Sequence, residues 1–268
     1  MKVTQKQSIE KLANEYGIPI PTIPKKTLPL NPEGYEKGPN PLGPEDLKKY
    51  QSLVGSLLYI NRCTRPEISI HVNLLGRRTS DATLNNWKAA MHVLRYLISS
   101  KQDGVVLTKR NESPGVIKAY ADASYRGEET RSQSGNLLTI NNNLIMWASR
   151  RQDVSAQSIT EAEYIACSEG AKDCRWIQQL LAELVTTEPK AFLYTDNEAA
   201  LKLTKTQKFH RRSRHIEHKY HYIRQLVHNQ QLTMVGIAGK ENPADILTKL
   251  LPMSKVQEWK ERYEMITG

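Results

Sequence analysis

The hydrophobic pattern of this chain changes near residue 105, and the change divides the chain into two kinds of structure. Before it, PEDLKKYQSLVGSLLYINRC and TLNNWKAAMHVLRYLISS have apolar residues at intervals of three and four, which predicts amphipathic helices. After it, VIKAYADAS, GNLLTI and NLIMWAS are short apolar runs separated by turn residues, which predicts strands. A long helix, the strand AFLYTD, further helices and the strand LTMVGI follow, so we expect an α/β fold around a mixed sheet.

A proline-rich stretch separates the first helical region from a short helix at the N-terminus. Proline lacks the backbone N–H and has a fixed φ, so it stops helices and central strands, and we expect an extended linker here. The predicted organisation is a helix at 1–17, the linker at 18–43, a helical region at 44–103, an α/β domain at 104–252 and a tail helix at 253–268.

Composition narrows the kinds of partner. The formal net charge is +10, which favours an anionic partner, with nucleic acid as the first candidate. The three cysteines Cys63, Cys167 and Cys174 form no C-x-x-C pair, which indicates a reducing compartment. No apolar run approaches the roughly 18 residues of a membrane span, and the N-terminus has no hydrophobic signal-peptide core. We therefore expect no membrane partner.

Four carboxylates occupy unusual places in the α/β part. Asp122 lies inside the first strand, Glu163 begins the long helix, Asp196 ends the fourth strand and Asp245 lies in NPADILTK. Such side chains can converge at one end of a sheet, and converging carboxylates repel one another unless cations neutralise them. Oxygen ligands favour Mg²⁺ or Mn²⁺ over zinc. Two such ions about 4 Å apart would activate a water and stabilise the leaving oxygen of a phosphodiester.

Three of these acids also have a structural explanation, which the sequence leaves open. Thr160 and Glu163 match the capping box T-x-x-E. Asp196 and Asp245 stand at the starts of predicted helices, NEAALKL and PADILTK, where free N–H groups and the helix dipole favour a carboxylate. Asp122 is the hardest to explain in this way, because a lone carboxylate is disfavoured in an apolar strand.

Five segments carry a specific resemblance by their order and spacing: YADASYRG, WASRRQDVSAQSITEAEYIA, LYTDNEAALKL, KFHRRSRHIEHKYHYIR and NPADILTK. Together they resemble the ribonuclease H (RNase H) domain of copia-type LTR-retrotransposon Pol polyproteins. The upstream helical region resembles the thumb and connection of the reverse transcriptase. The resemblance implies an RNase H-like mixed five-stranded sheet flanked by helices, preceded by a small helical region. The paired aspartates of a polymerase palm are absent from the sequence, so we expect a truncated Pol that cannot polymerise.

The resemblance also implies an activity, which is endonucleolytic hydrolysis of RNA in RNA–DNA hybrids with two Mg²⁺ or Mn²⁺ ions. The resemblance implies that Asp122, Glu163, Asp196 and Asp245 are the catalytic and metal-binding residues. Glu163 is preferred over its neighbour Glu161 because EYIA has the register of the family. The implied partners are the hybrid and the other parts of Pol, the polymerase and the integrase, with no small-molecule cofactor. The implied location is the cytoplasm, within virus-like particles, or the nucleus. One departure is Ala238, near the place where many RNase H enzymes have a loop histidine.

A basic segment lies between Asp196 and Asp245. From Lys202 to Arg224 it has eight Lys/Arg and one acid, a balance of 8 − 1 = +7. We expect phosphate contacts, which would weaken with salt, from six of its side chains: Lys205, Lys208, Arg211, Arg212, Arg214 and Lys219. A solvated cationic surface is the alternative, and a zinc site at its histidines is disfavoured because no cysteine accompanies them.

Two other functions stay open on the sequence alone. One is a remnant of a decayed element that keeps the fold and binds nucleic acid without cutting it. The other is an integrase or resolvase, which has a similar fold class and acidic chemistry, but the EAEY and DILTK motifs fit that class poorly.

Overall fold

The secondary structure was determined from a computed structural model of the protein, which describes residues 1–20, 27–109, 115–125, 131–184, 189–205 and 217–265. The elements before residue 108 are β1 (Lys2–Val3), α1 (Lys6–Glu15), α2 (Pro44–Thr64), α3 (Ser69–Gly76), α4 (Leu84–Ser99) and β2 (Val105–Val106). Those after it are β3 (Val116–Ser124), β4 (Gln133–Ile140), β5 (Asn143–Arg151), α5 (Ile159–Ala182), β6 (Lys190–Thr195), α6 (Glu198–Lys205), α7 (Glu217–His228), β7 (Thr233–Gly236) and α8 (Met253–Arg262). The chain divides into two compact units, residues 1–107 with 249–268, and residues 108–248.

The first unit is helical apart from a short antiparallel ribbon of β1 and β2. Helix α2 starts at Pro44, a residue suited to the first helical position because its missing N–H is not needed there. Its buried face includes Leu53, Leu57 and Ile60, at the three- and four-residue spacing seen in the sequence. The buried Tyr50 hydroxyl donates to the carbonyl of Leu75 over 2.8 Å and so ties α2 to α3.

Part of the proline-rich stretch packs rather than running extended. A 3₁₀ helix spans Pro32–Tyr35, and the side chain of Asn31 caps it by accepting from the N–H of Glu33. Tyr35 is buried, and its hydroxyl lies 2.6 Å from Nδ1 of His71. The sequence rule against helices in proline-rich segments misses this turn, because proline is tolerated in the first turn of a helix.

A buried network of charges lies inside the first unit. Arg65 donates to Glu67 over 2.7 Å, and both side chains are fully buried. Lys260 of α8 donates to Asp103 and, over 3.3 Å, to the hydroxyl of Tyr96, which in turn donates to Glu67. Burial alone raises the pKa of Glu67, but Arg65 and Lys260 outweigh it and hold this pKa below its ordinary value. Helix α8 therefore supplies a charge that the helical unit needs.

The second unit is built on a five-stranded sheet with the order β5-β4-β3-β6-β7. Strands β3, β4 and β5 pair antiparallel, whereas β3–β6 and β6–β7 pair parallel. The β4–β5 hairpin turns at Asn141 and Asn142, both with positive φ, as a two-residue turn requires. The predicted mixed five-stranded sheet flanked by helices is confirmed.

Helix α5 covers one face of this sheet. That face has small residues on β3, including Ala119, Ala121 and Ala123, which allow the helix to approach closely. Cys167 and Cys174 are buried in the same core, as the helical spacing predicted. In the described part of the chain, no helix combines the length and the apolar character that a membrane crossing needs.

Candidate metal centre

Three of the four predicted carboxylates meet at one end of the sheet. Asp122, Glu163 and Asp196 each offer a ligand oxygen, and these oxygens lie within 4.8 Å of one another. Asp122 and Glu163 are buried, with 1% and 6% of their surface exposed, while Asp196 is partly exposed. The three residues come from β3, α5 and the end of β6, so only the tertiary fold brings them together.

The register of two parallel strands explains why Asp122 and Asp196 are neighbours. Tyr120 of β3 pairs with Tyr194 of β6, and the two rings stack with centroids 4.9 Å apart. Each aspartate lies two residues beyond its tyrosine. Because β3 and β6 are parallel, both carboxylates lie at the same end of the sheet.

The start of α5 explains why Glu163 is available to this cluster. Ser158 is the N-cap, and its hydroxyl accepts from the N–H of Glu161 over 3.1 Å. The carboxylate of Glu161 in turn accepts from the N–H of Gln157 over 3.0 Å. The capping box suggested for Thr160 and Glu163 was therefore wrong, because the same S/T-x-x-E pattern is used two residues earlier. Glu161 therefore stabilises the start of α5, whereas Glu163 lies in the carboxylate cluster.

Helix capping does not account for Asp196 or Asp245 either. Asn197 caps α6, since its side chain accepts from the N–H of Ala200 over 2.8 Å. Asn242 caps the next turn by accepting from the N–H of Ala244 over 3.1 Å. In both places an asparagine, directly after Asp196 and three residues before Asp245, makes the capping hydrogen bond that the sequence had offered as the acid's explanation.

Asp245 lies on a shorter element than the sequence predicted. The segment NPADILTK forms a 3₁₀ helix at Pro243–Leu247 and not an α-helix. Asp245 is partly buried, and among the described residues the close group of carboxylates contains the other three acids without it. The short 3₁₀ turn has Pro243 at its first position, and the hydrogen bonds of Asn242 and Thr248 attach its two ends to the sheet.

Two polar residues beside the cluster were missed by the sequence reasoning. Asn242 donates to the carbonyl of Ala121 over 2.9 Å and lies 3.4 Å from an oxygen of Asp196. The hydroxyl of Thr248 donates to a carboxylate oxygen of Asp122. Both residues are buried. In the sequence they look like an ordinary cap and an ordinary residue after a turn, and their partners on β3 are more than 100 residues away.

A thiol lies close behind the carboxylates. Burial, together with the charges of Glu163, Asp196 and Asp122, raises the pKa of Cys167 to about 12. A thiol with such a pKa is protonated at neutral pH and is a poor nucleophile. The chemistry available at this centre is therefore that of grouped carboxylate oxygens.

Several proteins similar to this chain are transposon polyproteins. The retrovirus-related Pol polyprotein from transposon TNT 1-94 of Nicotiana tabacum is 36% identical over 214 residues, 79% of this chain. The one from transposon RE2 of Arabidopsis thaliana is 34% identical over 247 residues, 91% of this chain. The chain is homologous to a segment of copia-type retrotransposon Pol polyproteins. It spans 16% of the length of each of these two relatives.

Two further comparisons of this Pol segment are with family models and with solved structures. No family model matches it. Among solved structures, LC11-RNase H1, isolated from compost by a metagenomic approach, aligns with a TM-score of 0.40 and 18% identity, over 54% of this chain and 97% of that one.

The basic segment of the Pol-like chain falls mostly outside the described residues. Lys208, Arg211, Arg212 and Arg214 lie there, and for Lys205 and Lys219, in α6 and α7, only the backbone is described. Their predicted phosphate contacts stay predictions.

Two further exposed cations lie in the described part, at the end of β5. Arg150 and Arg151 are exposed at the end of β5, and Arg151 pairs with Gln133, which pairs with Ser124, two residues beyond Asp122. This places Arg151 on the sheet face that carries Asp122. The sequence analysis singled out neither arginine, although both directly follow the predicted strand NLIMWAS.

The loop around Ala238 passes close to the cluster. Ala238 is exposed and precedes Gly239, where an added Cβ would lie 3.1 Å from a carboxylate oxygen of Asp196. Glycine therefore allows the backbone to approach Asp196 at this point, beside the place where the sequence lacks the loop histidine.

Proposed function

We propose that this chain is a metal-dependent ribonuclease that hydrolyses the RNA strand of RNA–DNA hybrids. The observation that carries the proposal is the meeting of Asp122, Glu163 and Asp196, from three separate elements, within 4.8 Å. Homology to retrovirus-related Pol polyproteins supports it, because the motifs that resemble the RNase H domain of such proteins imply this substrate. Asp245 is proposed as a fourth acid of the same site, contributed by the adjacent turn.

The donor set fits a hard divalent cation. Three carboxylates, two of them buried, concentrate negative charge that is costly without a counter-charge. Oxygen ligands of this kind suit Mg²⁺ or Mn²⁺, and the proposed complement is two ions. Such ions, when bound, supply Lewis-acid polarisation of a phosphodiester and an activated water.

The residues of the chain have the task of holding and aligning the reactants. Asp122, Glu163 and Asp196 would hold the cations, and the protonated thiol of Cys167 offers no covalent alternative. The neighbouring Asn242 keeps the loop that follows β7 close to Asp196. We therefore propose direct hydrolysis without a covalent intermediate on the protein.

Substrate binding would rest on positive charge. The net charge of +10 and the exposed Arg151, on the sheet face that carries Asp122, suit contacts with phosphates. The basic residues between α6 and α7 are proposed to add further contacts. Because each neutralised phosphate releases counterions, binding should weaken steeply as salt rises.

The testing experiment compares three substrates with purified full-length chain in Mg²⁺: a labelled RNA–DNA hybrid, double-stranded RNA and double-stranded DNA. Cutting of the hybrid alone supports the proposal. Asp196→Asn should reduce the rate at least about 100-fold, because it removes a ligand needed in the transition state. Glu198→Gln is the matched control, since Glu198 is exposed on the first turn of α6 and should leave the rate unchanged.

Two other outcomes would contradict the proposal. Tight binding of the hybrid without cleavage in Mg²⁺ or Mn²⁺ would indicate a binding remnant. Cutting of duplex DNA in preference to the hybrid would indicate an integrase or resolvase. The convergence of the three acids argues against the first of these, because a site that no longer binds cations would be under no constraint to keep them together.

We further propose that this segment works with other parts of a Pol polyprotein, the polymerase and the integrase, and in cytoplasmic virus-like particles. The support is the naming of its relatives as Pol polyproteins and its coverage of a small share of their length. Antibodies against the segment should detect it in particle fractions together with reverse transcriptase activity, and its absence from such fractions would contradict this.

A further inference from the structure

We propose that Thr248 is a positioning residue, which orients the Asp122 carboxylate so that it can share a divalent ion with Glu163 and Asp196. This inference rests on the proposed function and deepens it. The hydroxyl of Thr248 donates to Oδ2 of Asp122, and both residues are almost completely buried. Thr248 follows directly on the 3₁₀ helix that carries Asp245.

The hydroxyl of Thr248 has two acceptors within reach. Besides Asp122, it lies 3.3 Å from the backbone carbonyl of Asp245. One hydroxyl therefore contacts both the strand aspartate and the backbone of the last acid. A side chain in that position can set the distance between the carboxylates of Asp122 and Asp245, which the pairing of the strands does not determine.

The fold makes special room for this contact. Gly135 of β4 pairs directly with Asp122, and an added Cβ there would lie 2.7 Å from Cγ2 of Thr248 and 2.9 Å from Cβ of Leu247. Contacts that short do not occur, so any larger residue would push the turn away from Asp122. Glycine at this position allows Thr248 to reach the carboxylate.

The next strand secures the same turn. Ser149 of β5 pairs with Gly135, and its hydroxyl donates to the carbonyl of Leu247. Gln133 in turn donates to the hydroxyl of Ser149 over 2.7 Å. Together with the bond from Asn242 to Ala121, these contacts fix both ends of the turn on three adjacent strands.

A hydrogen bond of this kind is compatible with cation binding. A carboxylate oxygen has two lone pairs, so Oδ2 of Asp122 can accept from Thr248 while it faces a cation. Groups that orient metal ligands in this way commonly change metal affinity by 10–100-fold when they are removed. The effect of Thr248 should therefore be seen in metal affinity itself as well as in the rate.

The experiment compares Thr248→Ser with Thr248→Ala in the full chain. Both variants lack the Cγ2 methyl group, so differences in packing cancel, and only the hydroxyl separates them. Mn²⁺ affinity is measured by calorimetry, and the Mg²⁺ concentration for half-maximal cleavage is measured alongside. Thr139→Ala is the matched control, because Thr139 is buried on β4 and its hydroxyl lies 3.3 Å from the carbonyl of Lys118, away from the cluster.

We expect Thr248→Ala to bind Mn²⁺ at least about tenfold more weakly than Thr248→Ser. Thr248→Ser and Thr139→Ala should stay within about twofold of the wild type. Equal affinities of the two Thr248 variants would overturn the proposal, whether both match the wild type or both are equally weakened. In the second case the methyl group, and not the hydroxyl, would have the role.

The affinities also separate this inference from the proposed function. In one outcome the wild type binds Mn²⁺ and Asp122→Asn abolishes this binding, but no hybrid is cut. The ribonuclease proposal then fails, while the comparison of Thr248→Ser with Thr248→Ala still decides the role of Thr248. If binding and cleavage are normal but Thr248→Ala matches Thr248→Ser, only the positioning role fails. A wild type that binds no Mn²⁺ overturns both.

Discussion

Replacing Glu163 by glutamine should stabilise the metal-free protein while removing its response to metal. The change neutralises one of three carboxylates whose oxygens lie within 4.8 Å of one another. At 4.8 Å and an effective dielectric constant of about 20, each pair of unit charges repels by about 3.5 kcal/mol. Counterions and the partial exposure of Asp196 screen part of this, so we expect a net gain of about 1–2 kcal/mol in the free energy of unfolding.

Divalent ions should reverse the order of stability. A ligand present at 100 times its Kd stabilises the folded state by about 2.7 kcal/mol. The wild type should gain about this much in Mg²⁺, and Glu163→Gln should gain little because one ligand is lost. The measurement is differential scanning calorimetry of the full chain, first in EDTA and then in Mg²⁺, on the transition that responds to the ion.

Glu161→Gln provides the control on the same helix, two residues away. Its carboxylate accepts from the N–H of Gln157, so the glutamine variant should lose at most about 1 kcal/mol and keep the full response to Mg²⁺. The reasoning is refuted if Glu163→Gln destabilises the metal-free protein, or if Glu161→Gln is the variant that loses the response to Mg²⁺.

Three further substitutions test other parts of the structure. Lys260→Met leaves Asp103 buried without its hydrogen-bonded cation, which should lower the free energy of unfolding by about 3–5 kcal/mol. Urea unfolding of the helical unit measures this loss, and a loss below about 1 kcal/mol would contradict the prediction. Gly170→Ala places a Cβ 2.7 Å from Oδ1 of Asn136, so we expect a lower Tm and a loss of about 1–3 kcal/mol. Gly239→Ala crowds a carboxylate oxygen of Asp196, so the Mn²⁺ affinity measured by calorimetry should fall severalfold while Tm stays unchanged. An unaltered affinity would show that the loop moves to accommodate the methyl group.

Local patterns in the sequence were enough to predict the elements of the sheet and the helix that covers it. Strands β3 to β5 follow short apolar runs separated by turn residues, and helix α5 has apolar residues at intervals of three and four. The acid in β3 was conspicuous because a carboxylate in such a strand needs a reason. These features depend on neighbours in the chain, so the sequence displays them.

The features that were missed depend on contacts between distant residues. Thr248 and Asn242 hydrogen-bond to groups 126 and 121 residues away, and no local pattern marks them. The capping assignment failed for another reason. Ser158 and Thr160 each precede a glutamate by three residues, so the motif matches at both places, and only the observed bond to Glu161 decides between them.

Cys167 gives the second unit a dependence on alkaline pH that can be measured. Burial and the nearby carboxylates together raise its thiol pKa to about 12 from an ordinary value of 9.0. The folded protein therefore keeps the proton when the unfolded chain releases it, so this thiol's contribution to stability is complete below pH 9 and is lost as pH rises toward 12. Between these values one group contributes a slope of about −1.4 kcal/mol per pH unit.

Replacing Cys167 by alanine should remove that part of the slope. Cys174 is buried in the same core, and its pKa is also raised by burial, so some alkaline loss will remain in the variant. The measurement is urea unfolding of wild type and Cys167→Ala at several pH values from 8 to 11. At pH 8 the alanine variant should be somewhat less stable, because a small cavity is left. Parallel slopes above pH 9 would show that the Cys167 thiol ionises equally well in the folded state, and hence that solvent reaches the space behind the carboxylates.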